Sequence, residues 1–481
     1  MFRTELSAFD AEPVRMGKRD QRHMLPKRRP LRSALRGLWM TAGPEPPLKS
    51  CTKTGITMTA RLSKSASTIM RFSLAAVAMA AMTVGCSAPQ SDETESASAS
   101  EDISDISWPQ EDWEYSTLEA EGFDPDPVNR FMEDLVAEKY GRVDHFLLIR
   151  HGRIVAEQQI ERDYAALAAS LDQDDRLTPN FSNPIYNYDD ADLHPYYQGT
   201  DLHTVQSVTK SINSAVLGIA IDEGYIEGTN APILPFFDAY EVDESDPRKE
   251  RITIDDLLTM RTGIAWDDEG GFGSETDSTY ALENSQTWIQ FILDQPMYEE
   301  PGAVFKYNDG ASVLLGKILH EATGQRVDAW AQEKLFSPIG IDEFYWKITP
   351  DGEADTEGGL YLSAHDMARI GYLFLRDGLW DGERVISEDW VRRSVASNVP
   401  STSTGDNSSP FGYGYQWWVP EDGEGRSLGF AGYGLGGQRI MVFPEYDVVA
   451  VFQAWDPAGE FWKASNAFRT TVLPASISEP E

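Results

Sequence analysis

Val205-Gln206-Ser207-Val208-Thr209-Lys210-Ser211-Ile212-Asn213-Ser214-Ala215-Val216-Leu217-Gly218-Ile219-Ala220 sets a hydroxyl and an amine three residues apart at the head of a long apolar run. In a helix, residues i and i+3 share a face, so Lys210 lies beside Ser207. A serine hydroxyl is a poor nucleophile until a neighbouring base takes its proton. A lysine can be that base only when burial or nearby cations depress its pKa. The apolar residues after Ser211 predict a buried helix that holds the pair in a fixed, partly desolvated place. Ser207, at the helix start, also meets unpaired N–H groups and the positive end of the helix dipole, which favour the charge that develops on attack. A Ser-x-x-Lys quartet is weak evidence alone, because a serine in that position is also an ordinary N-cap.

Other segments give the quartet a context. Gly218-Ile219-Ala220-Ile221-Asp222-Glu223-Gly224-Tyr225-Ile226 follows it directly. Further on come Ile252-Thr253-Ile254-Asp255-Asp256-Leu257-Leu258-Thr259-Met260-Arg261-Thr262-Gly263, then Phe305-Lys306-Tyr307-Asn308-Asp309. Gly358-Gly359-Leu360-Tyr361-Leu362-Ser363-Ala364-His365-Asp366-Met367-Ala368 and Tyr413-Gly414-Tyr415-Gln416-Trp417-Trp418 complete the series. In this order and spacing the boxes resemble the serine β-lactamase and penicillin-binding-protein superfamily, specifically its class C and esterase-like branch. The resemblance runs from about Phe123 to Phe452.

That resemblance implies a β-lactamase/transpeptidase-like fold and three catalytic residues: Ser207 as nucleophile, with Lys210 and Tyr307 as its acid/base partners. Which of the two is the acylation base stays open. The structural alternative for Tyr307 is a core tyrosine with a satisfied hydroxyl. Asp309 stands where the family has asparagine; an amide can donate to a substrate carbonyl and a carboxylate cannot, which puts substrate positioning by this residue in doubt. The family's Lys-Thr-Gly strand corresponds here to Gly429-Phe430-Ala431-Gly432-Tyr433-Gly434-Leu435-Gly436-Gly437-Gln438, without Lys or His. Gly432, Tyr433 and Gly434 are the candidate substrate-binding positions, with backbone close to substrate and an N–H for an oxyanion hole shared with Ser207. The alternative is a plain glycine-rich turn. Loss of the cation favours esters or amides that lack the carboxylate of a β-lactam or peptidoglycan stem. Trp266, Trp417, Trp418 and Trp455 are candidates for an acyl pocket, and otherwise core.

Element patterns agree with an α+β chain. Val128–Tyr140 has helical spacing, and Val143–Ile149 and Ile154–Glu157 flank a Gly-containing turn as a hairpin. Helices are predicted over Val208–Ile221, from Ile254, over Ser312–Thr323 and over Ser363–Asp377. Strands follow at Tyr413–Val419, Arg439–Phe443 and Val448–Phe452, with a last helix over Phe461–Thr471. Strands at both ends and helices between predict an antiparallel sheet built from the two chain ends, flanked by helices, with an inserted all-helical domain.

The N-terminal part reads differently. Arg61, Lys64 and Arg71 precede the apolar run Phe72–Met82, which ends in Thr83-Val84-Gly85-Cys86. A charged start, a short apolar stretch and a small residue before the cut describe a secretory signal, and Cys86 resembles a lipoprotein lipid-attachment site. The expected organisation is a basic extension over 1–57, a lipoprotein signal peptide over 58–86, an acidic disordered linker over 87–112 and a hydrolase domain over 113–475. An exported protein, anchored by lipid to the outer membrane and facing the periplasm, follows as an expectation. From Cys86 onward about 26 basic residues face 73 acidic ones, which excludes a basic footprint for nucleic acid. Scattered histidines and two cysteines indicate neither a metal nor a cofactor site, and no protein partner is implied. His320 and His365 read as surface or packing residues.

The expected activity is cleavage of a small-molecule ester or amide through a Ser207 acyl-enzyme. Two alternatives remain: a D-Ala carboxypeptidase or β-lactamase, and a non-catalytic surface binding module on the same fold.

Overall fold

Strict two-residue alternation explains the central sheet. Leu147, Ile149, Ile440, Val442, Val449 and Val451 join one buried cluster, while Phe146, Leu148, Met441, Phe443, Ala450 and Phe452 join another. Successive side chains of a strand point to opposite faces, so each face of this sheet has its own core. In this computed structural model, residues 106–477 are described, apart from 164–165, 167–187, 189–193, 195, 197–198, 244, 268–275, 401–410, 422–425 and 457–461. All lie in one compact unit, Ser96–Glu481. The expected signal peptide, Cys86 and the basic extension lie outside the described residues.

The sheet has eight strands: β1 (Glu114–Tyr115), β2 (Val143–Arg150), β3 (Arg153–Gln159), β4 (Phe411–Tyr413), β5 (Trp418–Pro420), β6 (Phe430–Gly434), β7 (Gln438–Phe443) and β8 (Val448–Ala454). Their spatial order is β1-β3-β2-β8-β7-β6-β5-β4. The chain ends meet at β2–β8, where Phe146 pairs with Phe452 and Leu148 with Ala450. Every pairing is antiparallel except β1–β3. On one face lie α1 (Pro125–Val136) and the C-terminal helical turns, joined by Phe131, Phe146, Phe452 and Phe468. Against the other pack α2 (Val208–Asp222) and α4 (Ala364–Leu375). Beyond α2 stand α3 (Asp309–Thr323) and the short helices Ile254–Leu258, Ser278–Glu283 and Trp288–Asp294. The fold is β-lactamase/transpeptidase-like and α+β.

Three boundaries differ from the sequence reading. Tyr413–Val419 is not one strand: the chain reverses through Gly414–Trp417, with Gly414 N–H donating to Trp417 O at 2.8 Å. The Ser211 hydroxyl donates to Gln416 O at 2.6 Å, tying that turn to α2. The last helix spans Lys463–Ser476 in three segments, its middle turns widened over Phe468–Val472. Residues 106–112, assigned to the linker, pack on the domain. Ser107 N–H donates to His151 O at 3.0 Å, and Ser107 O accepts from the buried Tyr372 hydroxyl at 2.9 Å. Trp108 sits edge-on to Tyr372 and Trp380. Gly152, at the hairpin turn, permits this approach, because a Cβ there would lie 1.8 Å from Ser107 O. Acidic composition masked two apolar residues, Ile106 and Trp108, that reach the core.

Trp108→Ala is expected to cost about 1–3 kcal/mol in urea unfolding, less than the ~3–5 kcal/mol for losing a fully buried tryptophan, because the site is half-buried. A change within ~0.5 kcal/mol, as for free surface positions, would mean that residues 106–112 are only a tether.

Candidate active site

Ser207 precedes the first turn of α2 and is partly exposed, whereas Val208–Ala220 is buried throughout. Gln206 before it has φ +49°, a left-handed conformation that a non-glycine residue adopts only under constraint. The constraint is visible: Val205 N–H donates to Leu360 O at 3.0 Å, and the Thr209 hydroxyl accepts from Leu360 N–H at 3.3 Å. The sharp bend turns the Ser207 hydroxyl outward. That hydroxyl makes no capping bond to α2; it accepts from Lys210 Nζ at 2.9 Å. An ordinary N-cap serine does the opposite.

Lys210 is 1% exposed. Around its Nζ stand Ser207 Oγ at 2.9 Å, Glu357 O at 2.5 Å and Asp309 Oδ1 at 2.7 Å. The Tyr307 phenol stands beside both Lys210 and Ser207, with its ring centre 5.3 Å from Lys210 Nζ. An ammonium has three protons and no lone pair, and three oxygens stand within hydrogen-bond distance of this one. Burial opposes its charge, but its neighbours, Asp309 first among them, outweigh burial and hold its pKa above the ordinary lysine value. A depressed pKa, which a lysine base requires, is not what this setting produces.

Tyr307 and Asp309 are held at the head of α3. Asn308 caps that helix, its side chain accepting from Ala311 N–H at 3.1 Å. Helices α2 and α3 are cross-linked where Asn213 Nδ2 donates to Ser312 O at 3.1 Å; the Ser312 and Thr356 hydroxyls then donate to each other's carbonyls at 2.8 Å. Asp309 is buried and accepts from the Thr279 hydroxyl at 2.5 Å through its second oxygen. Its carboxylate therefore faces Lys210 and Thr279. Desolvation raises the Tyr307 pKa and Asp309 adds to the rise, against the pull of Lys210, so its phenol is protonated at neutral pH.

Behind Lys210 lies a buried acidic group. Glu357 Oε2 is 3.9 Å from Lys210 Nζ. The Tyr188 hydroxyl stands 2.9 Å from Glu357 Oε1 and 2.7 Å from Asp355 Oδ2, and Glu283 is hydrogen-bonded to Glu357. Burial, together with Asp309 and Asp355, pushes Glu357 up to about 8 despite Lys210. Burial and the charges of Glu357 and Asp355 push Glu283 well above the usual carboxylate range, and burial also raises Asp355. Neighbouring acids in a dry place cannot all ionise.

Gly432 and Gly434, on β6, face this helix start. A Cβ on Gly432 would lie 3.1 Å from Val208 Cγ1, and one on Gly434 would lie 2.4 Å from Val205 O. Among the described residues, strand β5 pairs with β6 only at Trp418–Ala431, and the outer edge of Gly432–Gly434 has no strand partner. Among the described residues, the Ser207 backbone N–H has no hydrogen-bond partner. The Tyr433 side chain points to the opposite face, where Arg439 lies 4.6 Å from its ring centre. Trp418 stacks on Tyr307 at 5.9 Å and 17°, and Trp266 donates to Thr279 behind Asp309 at 3.4 Å. Trp417 and Trp455 are buried core residues.

The structure thus brings Ser207, Lys210, Tyr307 and Asp309 to one spot with Gly432 and Gly434 alongside, and turns the Tyr433 side chain away. Sequence reasoning missed Glu357, Thr279, Glu283, Asp355 and Tyr188. Glu357 directly precedes the Gly358-Gly359-Leu360 box, but nothing in its neighbours marks it as buried.

Comparison with known proteins agrees with this fold. The Beta-lactamase family model matches residues 128–463. The chain belongs to the beta-lactamase family of serine hydrolases. It is 27% identical over 292 residues to the 6-aminohexanoate-dimer hydrolase of Paenarthrobacter ureafaciens, covering 56% of this chain and 72% of that protein. Among solved structures it resembles EstCE1, a hydrolase with promiscuous acyltransferase activity (TM-score 0.54, 14% identity, 73% of this chain and 98% of the other). It also resembles the octameric penicillin-binding protein homologue from Pyrococcus abyssi (TM-score 0.51, 18% identity, 73% and 79%).

An acid whose folded-state pKa is raised binds its proton more tightly in the folded state, so stability falls as pH rises between the unfolded and folded values. For Glu357 that window runs from its ordinary 4.5 to about 8, and Glu283 and Asp355 act in the same direction. Melting temperature should therefore decline across this window, and Glu357→Gln should flatten the decline and raise stability at its alkaline end. An unchanged slope in the variant would show that Glu357 ionises freely.

Proposed function

We propose that this protein hydrolyses a small linear amide or ester through an acyl-enzyme on Ser207, with Tyr307 as the proton relay and Lys210 as a permanent cation. The observation that carries the reading is the set of three oxygens within hydrogen-bond distance of Lys210 Nζ, Ser207 Oγ among them. An amine so surrounded is a charge donor and not a proton acceptor. Tyr307, protonated and next to Ser207, has both a lone pair and a proton to offer.

In the first half-reaction Ser207 Oγ bonds to the substrate carbonyl carbon. Its proton passes to Tyr307 Oη while the Tyr307 proton passes to the leaving nitrogen or oxygen, so the phenol ends as it began. The bond to the leaving group then breaks and the acyl group stays on Ser207. In the second half-reaction a water attacks the acyl carbon. Its proton reaches Ser207 Oγ through Tyr307 as the acyl bond breaks, releasing the acid. Lys210 stabilises charge on Ser207 Oγ and Tyr307 Oη throughout. The Ser207 N–H and a backbone N–H of Gly432–Gly434 form the oxyanion hole.

Two observations support an amide or ester without a recognised carboxylate. Strand β6 carries no cation of its own, and Arg439 on the next strand donates to Gly434 O and Gln438 O at 2.6 and 2.7 Å. The aromatic wall of Trp418, Tyr413 and Phe305 beside Tyr307 suits an apolar acyl chain. The Paenarthrobacter ureafaciens relative is named for a dimer of 6-aminohexanoate, and an ω-amino-acid amide belongs to the same substrate class.

A fluorophosphonate probe should label wild type and not Ser207→Ala. Tyr307→Phe should lower kcat on p-nitrophenyl esters by about 10²–10⁴-fold, the range for losing a positioned proton-transfer group. Folded protein that takes up no label would favour a binding module. Rapid cephalosporin turnover without ester cleavage would favour a β-lactamase.

A further inference from the structure

At the far end of the sheet from β6, two histidines aim at one carboxylate oxygen. His145 Nε2 lies 2.8 Å and His365 Nε2 3.1 Å from Glu157 Oε1. These three ligand atoms all lie within 4.8 Å of one another. We propose that His145, Glu157 and His365 form a binding site for a zinc-class divalent transition cation, with its remaining coordination position open to solvent.

The site is built from three elements. In the β2–β3 ladder, Leu147 pairs with Glu157 and His145 with Gln159, so His145 and Glu157 are diagonal neighbours on one face of the sheet. His365 stands in the first turn of α4, which packs over that face, and the Trp113 indole donates to its carbonyl at 3.2 Å. Neither sequence spacing, 12 residues in one pair and 208 in the other, resembles a metal-binding motif.

Two imidazoles and one carboxylate are the donor set of many zinc sites. With bonds of about 2.0–2.1 Å at tetrahedral angles, ligand atoms stand roughly 3.3 Å apart. The His145–Glu157 and His365–Glu157 separations therefore need to open by only a few tenths of an ångström. The Tyr115 hydroxyl already donates to Glu157 Oε2 at 2.7 Å, which keeps Oε1 turned toward the histidines, as hydrogen-bond partners of metal-ligating carboxylates do. Access exists as well. The His365 side chain is 40% exposed, and Glu157 lines an open groove of about 510 Å³ with Tyr115, Ser116 and Gln159. The chain's net charge of −37 raises the local concentration of cations. A bound ion would clip the start of α4 to the β2–β3 hairpin. Its occupancy is independent of the Ser207 chemistry.

The competing state is a metal-free cluster in which both imidazoles donate to Glu157. Titration of chelator-stripped protein with Co²⁺ separates the two. We expect a visible d–d absorption band that saturates at one ion per chain and is displaced by Zn²⁺, and a zinc-dependent rise in melting temperature. His365→Ala, at an exposed position, should keep the fold and weaken Co²⁺ binding at least tenfold; Glu157→Gln should do the same. Absence of the band and of a melting shift in wild type up to 1 mM metal, roughly the weak limit for a specific site, would overturn the proposal. So would binding that survives undiminished in both variants.

Discussion

The buried ammonium of Lys210 is the constraint around which the site is arranged. A lysine that water hardly reaches is costly unless its charge is matched and its protons are bonded. Here the match is Asp309, the bonds include the carbonyl of Glu357 and the hydroxyl of Ser207, and the Tyr307 phenol stands beside them. The residues of the proposed chemistry are therefore also those that make the burial of this charge tolerable. Removing Asp309 would leave an uncompensated buried cation as well as altering the site.

The fold supplies the rest by bringing three distant chain segments to one point. Helix α2 carries Ser207 and Lys210, the head of α3 carries Tyr307 and Asp309, and the strand Leu360–Leu362 is stitched to the residues just before Ser207. Buried serine, threonine and asparagine side chains cross-link these segments. Buried hydrogen bonds of this kind hold the segments in a single arrangement. The acidic group beneath them has a different consequence. With Glu357 largely protonated at neutral pH, Lys210 faces one full carboxylate, and the Lys210–Asp309 pair is close to neutral. At higher pH a second negative charge forms 3.9 Å from the ammonium and offsets its pull on Ser207 and Tyr307.

Much of this was legible in the sequence, for identifiable reasons. The apolar runs after Ser211 and in Val143–Ile149 report burial directly, and both elements stand where their patterns put them. Ser207, Lys210 and Tyr307 lie in boxes whose order implied their meeting. Asp309 was readable as a departure, but its pairing with Lys210 was not, because that depends on how two helices approach. Glu357, Glu283 and Asp355 were invisible for a related reason: an acidic residue reads as surface until a fold buries it. Trp108 was lost in an acidic stretch, and the turn at Gly414–Trp417 was hidden by aromatic residues that favour strands.

Selective ¹⁵N labelling of lysine follows the Lys210 Nζ resonance, assigned by its loss in Lys210→Arg, from pH 6 to 10. A permanent cation at Lys210 gives an ammonium signal that does not titrate in that range. A midpoint inside that range, below the ordinary lysine value of ~10.4, would make Lys210 available as a base and show that its charge is not permanent.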